Sequence, residues 1–112
     1  MAQSIATYGG LDIIVNNAAT NPVYGPIQKT DERAFDKIID VNLKGPLFLC
    51  NRAYPILKER GGGSIINNSS MWALKPLPGA SPYVAAKAGM IALTKSLAQE
   101  FGPDQIRVNC ML

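Results

Sequence analysis

The apolar residues of the chain fall into three short runs rich in β-branched residues, separated by two longer stretches with helical spacing. Residues 11–18, 64–67 and 106–112 each predict a strand buried on both faces of a sheet. The stretches 20–28 and 71–81 are rich in Gly, Pro and Asn or Ser and predict loops. The alternation of strand and helix predicts an α/β fold with a parallel sheet.

Two helices are expected between the strands. For the first helix, Thr30 is typical of an N-cap. The acidic residues at 31 and 32 suit the first turn, where the helix dipole favours negative charge. This helix is predicted to continue to about Glu59, before three consecutive glycines. The second is predicted to begin with Ser81 as N-cap, Pro82 as its first residue, and to run to Phe101.

Composition narrows the class of protein. The chain has 112 residues, of which 47% are hydrophobic and 17% charged, values typical of a soluble globular chain of at most one domain. No apolar run approaches the roughly 18 residues of a membrane span, and no secretory signal begins the chain, so we expect a cytoplasmic protein. The net charge of +3 is spread singly, which does not favour binding to nucleic acid.

The chain contains no histidine, which excludes a Ser-His-Asp triad, a His-ligated metal and imidazole as a general base. Cys50 and Cys110 lie far apart in apolar stretches, so neither a disulfide framework nor a metal site is expected. Any chemistry must therefore use Ser, Tyr, Lys, Asn or carboxylates.

Tyr83 and Lys87 are four residues apart on the second predicted helix and should share one face. An ammonium near a phenol favours the phenolate and lowers the tyrosine pKa from about 10, toward acid/base use. The same spacing is also common on solvated helix faces.

Ser70 ends a buried strand, where open α/β sheets bind ligands. There it either donates to a carbonyl oxygen or serves as a turn residue.

Two asparagine positions complete the set of candidates. Asn42 lies mid-helix, four residues before Pro46, which has no N–H to donate to its carbonyl. We expect a kink that either leaves this carbonyl free to hold a water molecule or serves packing alone. Asn16 and Asn17 end the first strand, where buried amides must find partners. They either pin neighbouring segments or face a ligand, and pinning is expected for at least one.

With these sites in order, the sequence resembles the short-chain dehydrogenase/reductase family. The matching segments occur in the family's order, with its spacing, and span nearly the whole chain; they are residues 16–19 (NNAA), 40–45 (DVNLKG), 69–70 (SS), 83–87 (YVAAK) and 106–109 (IRVN). Residues 17–27 and 76–83 are most similar to a carbonyl-reductase-like branch. Ala19 replaces the family's usual final glycine of the first segment.

The resemblance implies a Rossmann-like, three-layer αβα fold. Residues 1–112 would be the central and catalytic portion of an NAD(P)-binding domain. The first βαβ unit, with its Gly-rich phosphate-binding turn, and the C-terminal part are expected to lie outside this chain. A sheet without those parts exposes an edge and an apolar face, so we expect poor solubility or oligomers.

The resemblance also implies roles for the matched residues. Tyr83 would be the general acid in carbonyl reduction and the base in alcohol oxidation. Lys87 would hold the nicotinamide ribose and depress the Tyr83 pKa, and Ser70 would orient the substrate oxygen. Asn42 would hold, through its carbonyl, a water linking Lys87 to solvent. Asn16 and Ala18 would border the cofactor, and Tyr83 would contact it together with Lys87. Trp72, its loop and Tyr24 would line the substrate pocket; Trp72 is equally suited to be a packing anchor.

The implied function is hydride transfer between NAD or NADP and a small carbonyl or alcohol, by an enzyme that forms homo-oligomers (dimers or tetramers). One alternative is a non-catalytic fragment that acts only in binding or assembly. A weaker alternative is epimerisation or dehydration of nucleotide sugars, which the Asn42 segment and the short spacing between Ser70 and Tyr83 disfavour.

Overall fold

Three parallel strands form the sheet of the computed structural model, which describes residues 1–22 and 24–112. They are β1 (Ile13–Asn16), β2 (Gly63–Asn68) and β3 (Ile106–Met111), and they lie in the order β1-β2-β3. Ile65 at the centre of β2 pairs with Ile14 on one side and Val108 on the other. The predicted parallel α/β arrangement is therefore confirmed, with a first strand shorter than its apolar run.

In the part of the chain that the structure describes, four α-helices accompany the sheet: α1 (Ala2–Tyr8), α2 (Glu32–Ile39), α3 (Gly45–Glu59) and α4 (Ser81–Phe101). A π-helical turn, Asp40–Lys44, joins α2 to α3. The predicted helix end at Glu59 is confirmed. Helix α1 was not predicted, because its seven residues include one large aliphatic side chain, Ile5, which is too little to show a helical period. It ends at Gly9, whose φ of 85° suits glycine.

The predicted N-caps of both long helices were wrong by one residue. Asp31, not Thr30, caps α2, and its carboxylate accepts a hydrogen bond from the Ala34 N–H at 2.7 Å. Both residue types are good caps, but the helix begins at Glu32, so Asp31 occupies the cap position. Ala80 precedes α4, so Ser81 is its first helical residue and makes no side-chain cap bond. Helix α4 ends at Phe101, as predicted.

Helices α3 and α4 cover one face of the sheet. Their core is a cluster of apolar side chains: Ile14, Cys50, Ala53, Leu57, Ile65, Phe101, Ile106 and Val108. On the opposite face, Ile13 and Val15 are 63% and 56% exposed. The chain thus has the Rossmann-like arrangement predicted from sequence, with helices on one face of the sheet among the described residues. None of the described helices is long and apolar enough to cross a bilayer.

Candidate active site

The end of β2 is tied to helix α4 by two polar contacts. The Ser69 hydroxyl donates a hydrogen bond to the Lys87 carbonyl oxygen at 2.6 Å, and Lys87 Nζ donates to the Asn68 carbonyl oxygen at 3.0 Å. Ser70 follows in an extended conformation, and its Oγ accepts the Trp72 N–H at 3.2 Å, which caps a short 3₁₀ turn. The strand end therefore fixes Ser70 beside the first turns of α4.

Tyr83 and Lys87 lie on one face of α4, as their spacing predicted. Lys87 Nζ is 5.7 Å from the centre of the Tyr83 ring, and the lysine is only 2% exposed. Burial lowers the pKa of Lys87 below its ordinary value, and a weaker Coulombic interaction with Cys110 acts in the opposite direction. A buried ammonium thus lies next to the tyrosine.

Ser70, Trp72 and Tyr83 line one cleft with a volume of about 440 Å³. The cleft opens at the carboxyl ends of the strands, where open α/β sheets bind ligands. Its remaining lining residues come from the segment that follows β1: Ala19, Thr20 and Asn21. The sequence assigned no role in substrate contact to these three, although they directly follow or end the matched segment 16–19.

Trp72 forms an aromatic wall of this cleft. Its ring meets the Tyr83 ring edge-on, with centroids 6.1 Å apart, and meets the Tyr24 ring similarly at 5.9 Å. The loop carrying Tyr24 is joined to the loop after Trp72 by a hydrogen bond from the Gly25 N–H to the Gly79 carbonyl oxygen at 2.8 Å. Tyr24 is 64% exposed and contacts Trp72 instead of being part of the cleft lining. Trp72 is thus both a packing anchor and a cleft residue.

Asn42 acts in the structure through its side chain. The residue is 1% exposed, and Nδ2 donates hydrogen bonds to the carbonyl oxygens of Thr20 at 2.6 Å and Ile38 at 2.8 Å. Its Oδ1 accepts the Thr20 N–H at 3.2 Å. The amide therefore clamps the backbone of a cleft residue from both sides.

The expected irregularity before Pro46 is the π-helical turn. Within it, the Gly45 N–H bonds to the Asp40 carbonyl oxygen, five residues back. The wider turn accommodates a proline that cannot donate to the Asn42 carbonyl. The expected role of that carbonyl in holding a water stays a prediction.

Asn16 and Asn17 both pin neighbouring segments. Asn16 is 6% exposed, and its Nδ2 donates to Asn67 Oδ1 at 2.7 Å. Asn67 Nδ2 in turn donates to the Thr94 hydroxyl on α4 at 3.0 Å. Asn17 Oδ1 accepts from Asn68 Nδ2 at 2.7 Å. The expectation that at least one of the two asparagines pins the strands is confirmed.

Asn16 and Ala18 also border a second cleft, of about 330 Å³, beside the π-helical turn. Two small residues, Ala18 and Gly45, are among those that line it. Ser70, Trp72 and Tyr83 thus line the first cleft, and Asn16 and Ala18 line the second. Tyr24 and Lys87 are not among the lining residues of either cleft.

Fold and site together define a Rossmann-like α/β domain with a serine, a tyrosine and a buried lysine where its strands end. The sequence profile of the short chain dehydrogenase family matches residues 1–112. The chain belongs to this family, and the resemblance inferred from its motifs is confirmed.

Individual relatives agree with this assignment. The human protein dehydrogenase/reductase SDR family member 4 is 43% identical over 111 residues, covering 99% of this chain and 40% of the relative. A probable galactose dehydrogenase of Rhizobium meliloti is 41% identical over 110 residues, covering 98% of this chain and 43% of the relative. The chain thus spans about two-fifths of the length of these relatives.

Solved structures show the same fold. A putative short-chain alcohol dehydrogenase from Sinorhizobium meliloti superposes with a TM-score of 0.92 at 38% identity, over 97% of this chain and 43% of that one. The NAD⁺-bound structure of a xylitol dehydrogenase superposes with the same TM-score at 27% identity, over 97% of this chain and 42% of that one.

Proposed function

We propose that this chain carries the catalytic cleft of an NAD(P)-dependent oxidoreductase that transfers hydride between a nicotinamide cofactor and a small carbonyl or alcohol. The observation that carries the proposal is the shared cleft of Ser70 and Tyr83, with the Lys87 ammonium buried next to the tyrosine ring. The family's name and the dehydrogenase names of the relatives support it.

Ser70 is suited to hold the substrate oxygen. Its Oγ already accepts the Trp72 N–H, which leaves the hydroxyl proton available to donate to a carbonyl oxygen in the cleft. Such a hydrogen bond strengthens as negative charge develops on that oxygen. Ser70 thus orients the substrate and stabilises the charge that forms during reduction.

Tyr83 supplies the proton to that oxygen in reduction and removes it in oxidation. The Lys87 ammonium stabilises negative charge on the phenol oxygen, since burial strengthens the electrostatic interaction between neighbouring groups. The hydrogen bond from Nζ to the Asn68 carbonyl oxygen holds this ammonium in place. No histidine is needed for the proton transfer.

We place part of the cofactor in the second cleft, which Asn16 and Ala18 border. NAD or NADP held there would supply or accept the hydride. The Asn16 amide contributes indirectly, because its bond to Asn67 holds β1 and β2 in register beside the cleft.

We further propose that the protein forms homo-oligomers and acts on a small molecule.

Fluorescence titration with NADH and with NADPH tests this proposal, followed by addition of simple ketones while the nicotinamide absorbance is recorded. We expect saturable binding and ketone-dependent oxidation of the cofactor. Ala18→Trp should obstruct the second cleft and weaken binding at least about ten-fold, whereas Ala6→Trp, exposed on α1, should not. The titration is made on the intact protein, with the expected phosphate-binding turn, and absence of binding there would contradict the proposal and favour the non-catalytic alternative.

A further inference from the structure

Lys87 is held at two points by consecutive residues at the end of β2. The Ser69 hydroxyl donates to the Lys87 carbonyl oxygen at 2.6 Å, and the Asn68 carbonyl oxygen accepts from Lys87 Nζ at 3.0 Å. Ser69 and Lys87 are both buried, with exposed fractions of 7% and 2%. The backbone and the ammonium of the lysine are therefore fixed to the same short piece of chain.

The bond from Ser69 is an addition to the hydrogen bonds of helix α4. A carbonyl oxygen within a helix normally accepts one bond from the residue four positions further on, and its second lone pair can accept another. Lys87 lies within α4, so its carbonyl oxygen needs no partner outside the helix. The buried hydroxyl of Ser69 does need a partner, and its partner is the residue that carries the ammonium.

The backbone of Ser69 is held by the neighbouring strand. Its N–H donates to the Met111 carbonyl oxygen of β3 at 2.8 Å. This bond does not depend on the side chain at position 69, so it should keep residue 69 and the adjoining Ser70 in place when the hydroxyl is removed. The hydroxyl of Ser69 is thus a fixed anchor for α4 that mutation can separate from the placement of Ser70.

We propose that Ser69 is a positioning residue for the reaction, whose hydroxyl holds the Lys87 backbone so that the buried ammonium stays next to the Tyr83 ring. The catalytic roles of Lys87 and Tyr83 rest on the function proposed above. Lys87 Nζ lies 5.7 Å from the centre of the Tyr83 ring, and its electrostatic effect weakens with distance. A lysine side chain is long and flexible, so the place of its ammonium depends on where its backbone is held.

The surroundings of the Lys87 ammonium provide a readout that needs no turnover. They include the Asn68 carbonyl oxygen at the end of β2, Tyr83 on the same helix and Cys110 on β3. Burial lowers the pKa of Lys87, and the weaker interaction with Cys110 raises it. Without the Ser69 hydroxyl, the lysine backbone can move away from the strand and its ammonium gains contact with water. The pKa of Lys87 should then rise toward its ordinary value.

The first test is an NMR titration of isotope-labelled lysine side chains in the intact protein, with Lys87→Met identifying the signal. Thr94→Val is the matched control, because Thr94 also donates a buried hydroxyl to a carbonyl oxygen of α4, that of Met90 at 2.7 Å. Ser69→Ala and Thr94→Val should both lower the urea midpoint of unfolding. Only Ser69→Ala should raise the pKa of Lys87, and Ser69→Thr, which keeps a hydroxyl, should restore the parent value.

The second test measures turnover of butanone with NADH or NADPH in the same variants. Ser69→Ala should lower kcat about ten-fold, because the ammonium is displaced from the tyrosine. The KM for butanone should stay within about two-fold, because Ser70 keeps its place. Thr94→Val should change neither constant by more than about two-fold.

An unchanged Lys87 pKa in Ser69→Ala, or an equal rise in Thr94→Val, would show that Ser69 serves stability alone and would overturn the proposal. The two tests also separate this proposal from the proposed function. A Lys87 pKa that depends on Ser69, in a protein that never oxidises NADH or NADPH, would contradict the reaction and not the anchoring of the lysine. Oxidation at the parent rate by Ser69→Ala would contradict the role of Ser69 alone.

Discussion

Replacing Asn42 tests whether its side chain, and not only its backbone, organises the site. Asn42→Ala removes the clamp on Thr20 and the bond to the Ile38 carbonyl oxygen, three hydrogen bonds in all. The backbone carbonyl of residue 42 is untouched, so a water held there would survive the substitution. The expected losses are a lower free energy of unfolding and a less ordered cleft.

The structure sets the size of the effect. Each intramolecular hydrogen bond contributes about 1 kcal/mol net, and the buried partners left behind add desolvation costs, so we expect a loss of about 2–4 kcal/mol. Asn42→Asp should be worse, because it places a carboxylate opposite the carbonyl oxygens of Thr20 and Ile38. It retains only the acceptor for the Thr20 N–H.

Urea unfolding followed by circular dichroism measures these losses. Asn51→Ala, an exposed asparagine on α3, is the matched control and should change the free energy of unfolding by less than about 0.5 kcal/mol. If Asn42→Ala were as stable as the parent, or Asn42→Asp more stable than Asn42→Ala, the side-chain clamp would be refuted.

Three further predictions concern stability. Asp31→Ala should cost about 1 kcal/mol by removing the N-cap of α2, and Thr30→Ala clearly less; equal losses in urea unfolding would be inconsistent with the observed cap. Gly63→Ala should cost about 1–3 kcal/mol, since its Cβ would lie 2.7 Å from a backbone oxygen, whereas Gly102→Ala meets nothing within 4 Å; similar midpoints for the two would contradict this. Burial lowers the pKa of folded Lys87, so its charge opposes folding until the pH passes that pKa. The free energy of unfolding of the parent minus that of Lys87→Met should therefore rise as the pH increases toward 10.5. A difference that falls over this pH range would contradict the prediction.

Local signals explain what the sequence could predict of the fold. β-branched runs identify all three strands, and the glycines after Glu59 and the Gly-Pro pair after Phe101 mark where helices end. These features depend on neighbouring residues alone. The choice between Thr30 and Asp31 as cap depends on the path of the preceding loop, which local preference does not determine.

The candidate site likewise has one part that local sequence patterns predict and another that depends on tertiary contacts. Ser70, Tyr83 and Lys87 follow from motif spacing together with the rule that parallel strands end at one edge. The clamp of Asn42 on Thr20 joins residues 22 positions apart, and Asn16 reaches Asn67 across 51 positions. Such contacts arise from tertiary packing.

Turnover of Tyr83→Phe is the most direct test of the claim that this cleft transfers a proton to a carbonyl oxygen. Tyr8→Phe, which removes a hydroxyl from an 81% exposed tyrosine on α1, is the control. NADH- or NADPH-dependent ketone reduction should fall about 10²- to 10⁴-fold in Tyr83→Phe, with cofactor binding and the unfolding midpoint preserved, and should be unchanged in Tyr8→Phe. Turnover by Tyr83→Phe within a few-fold of the parent would contradict the account.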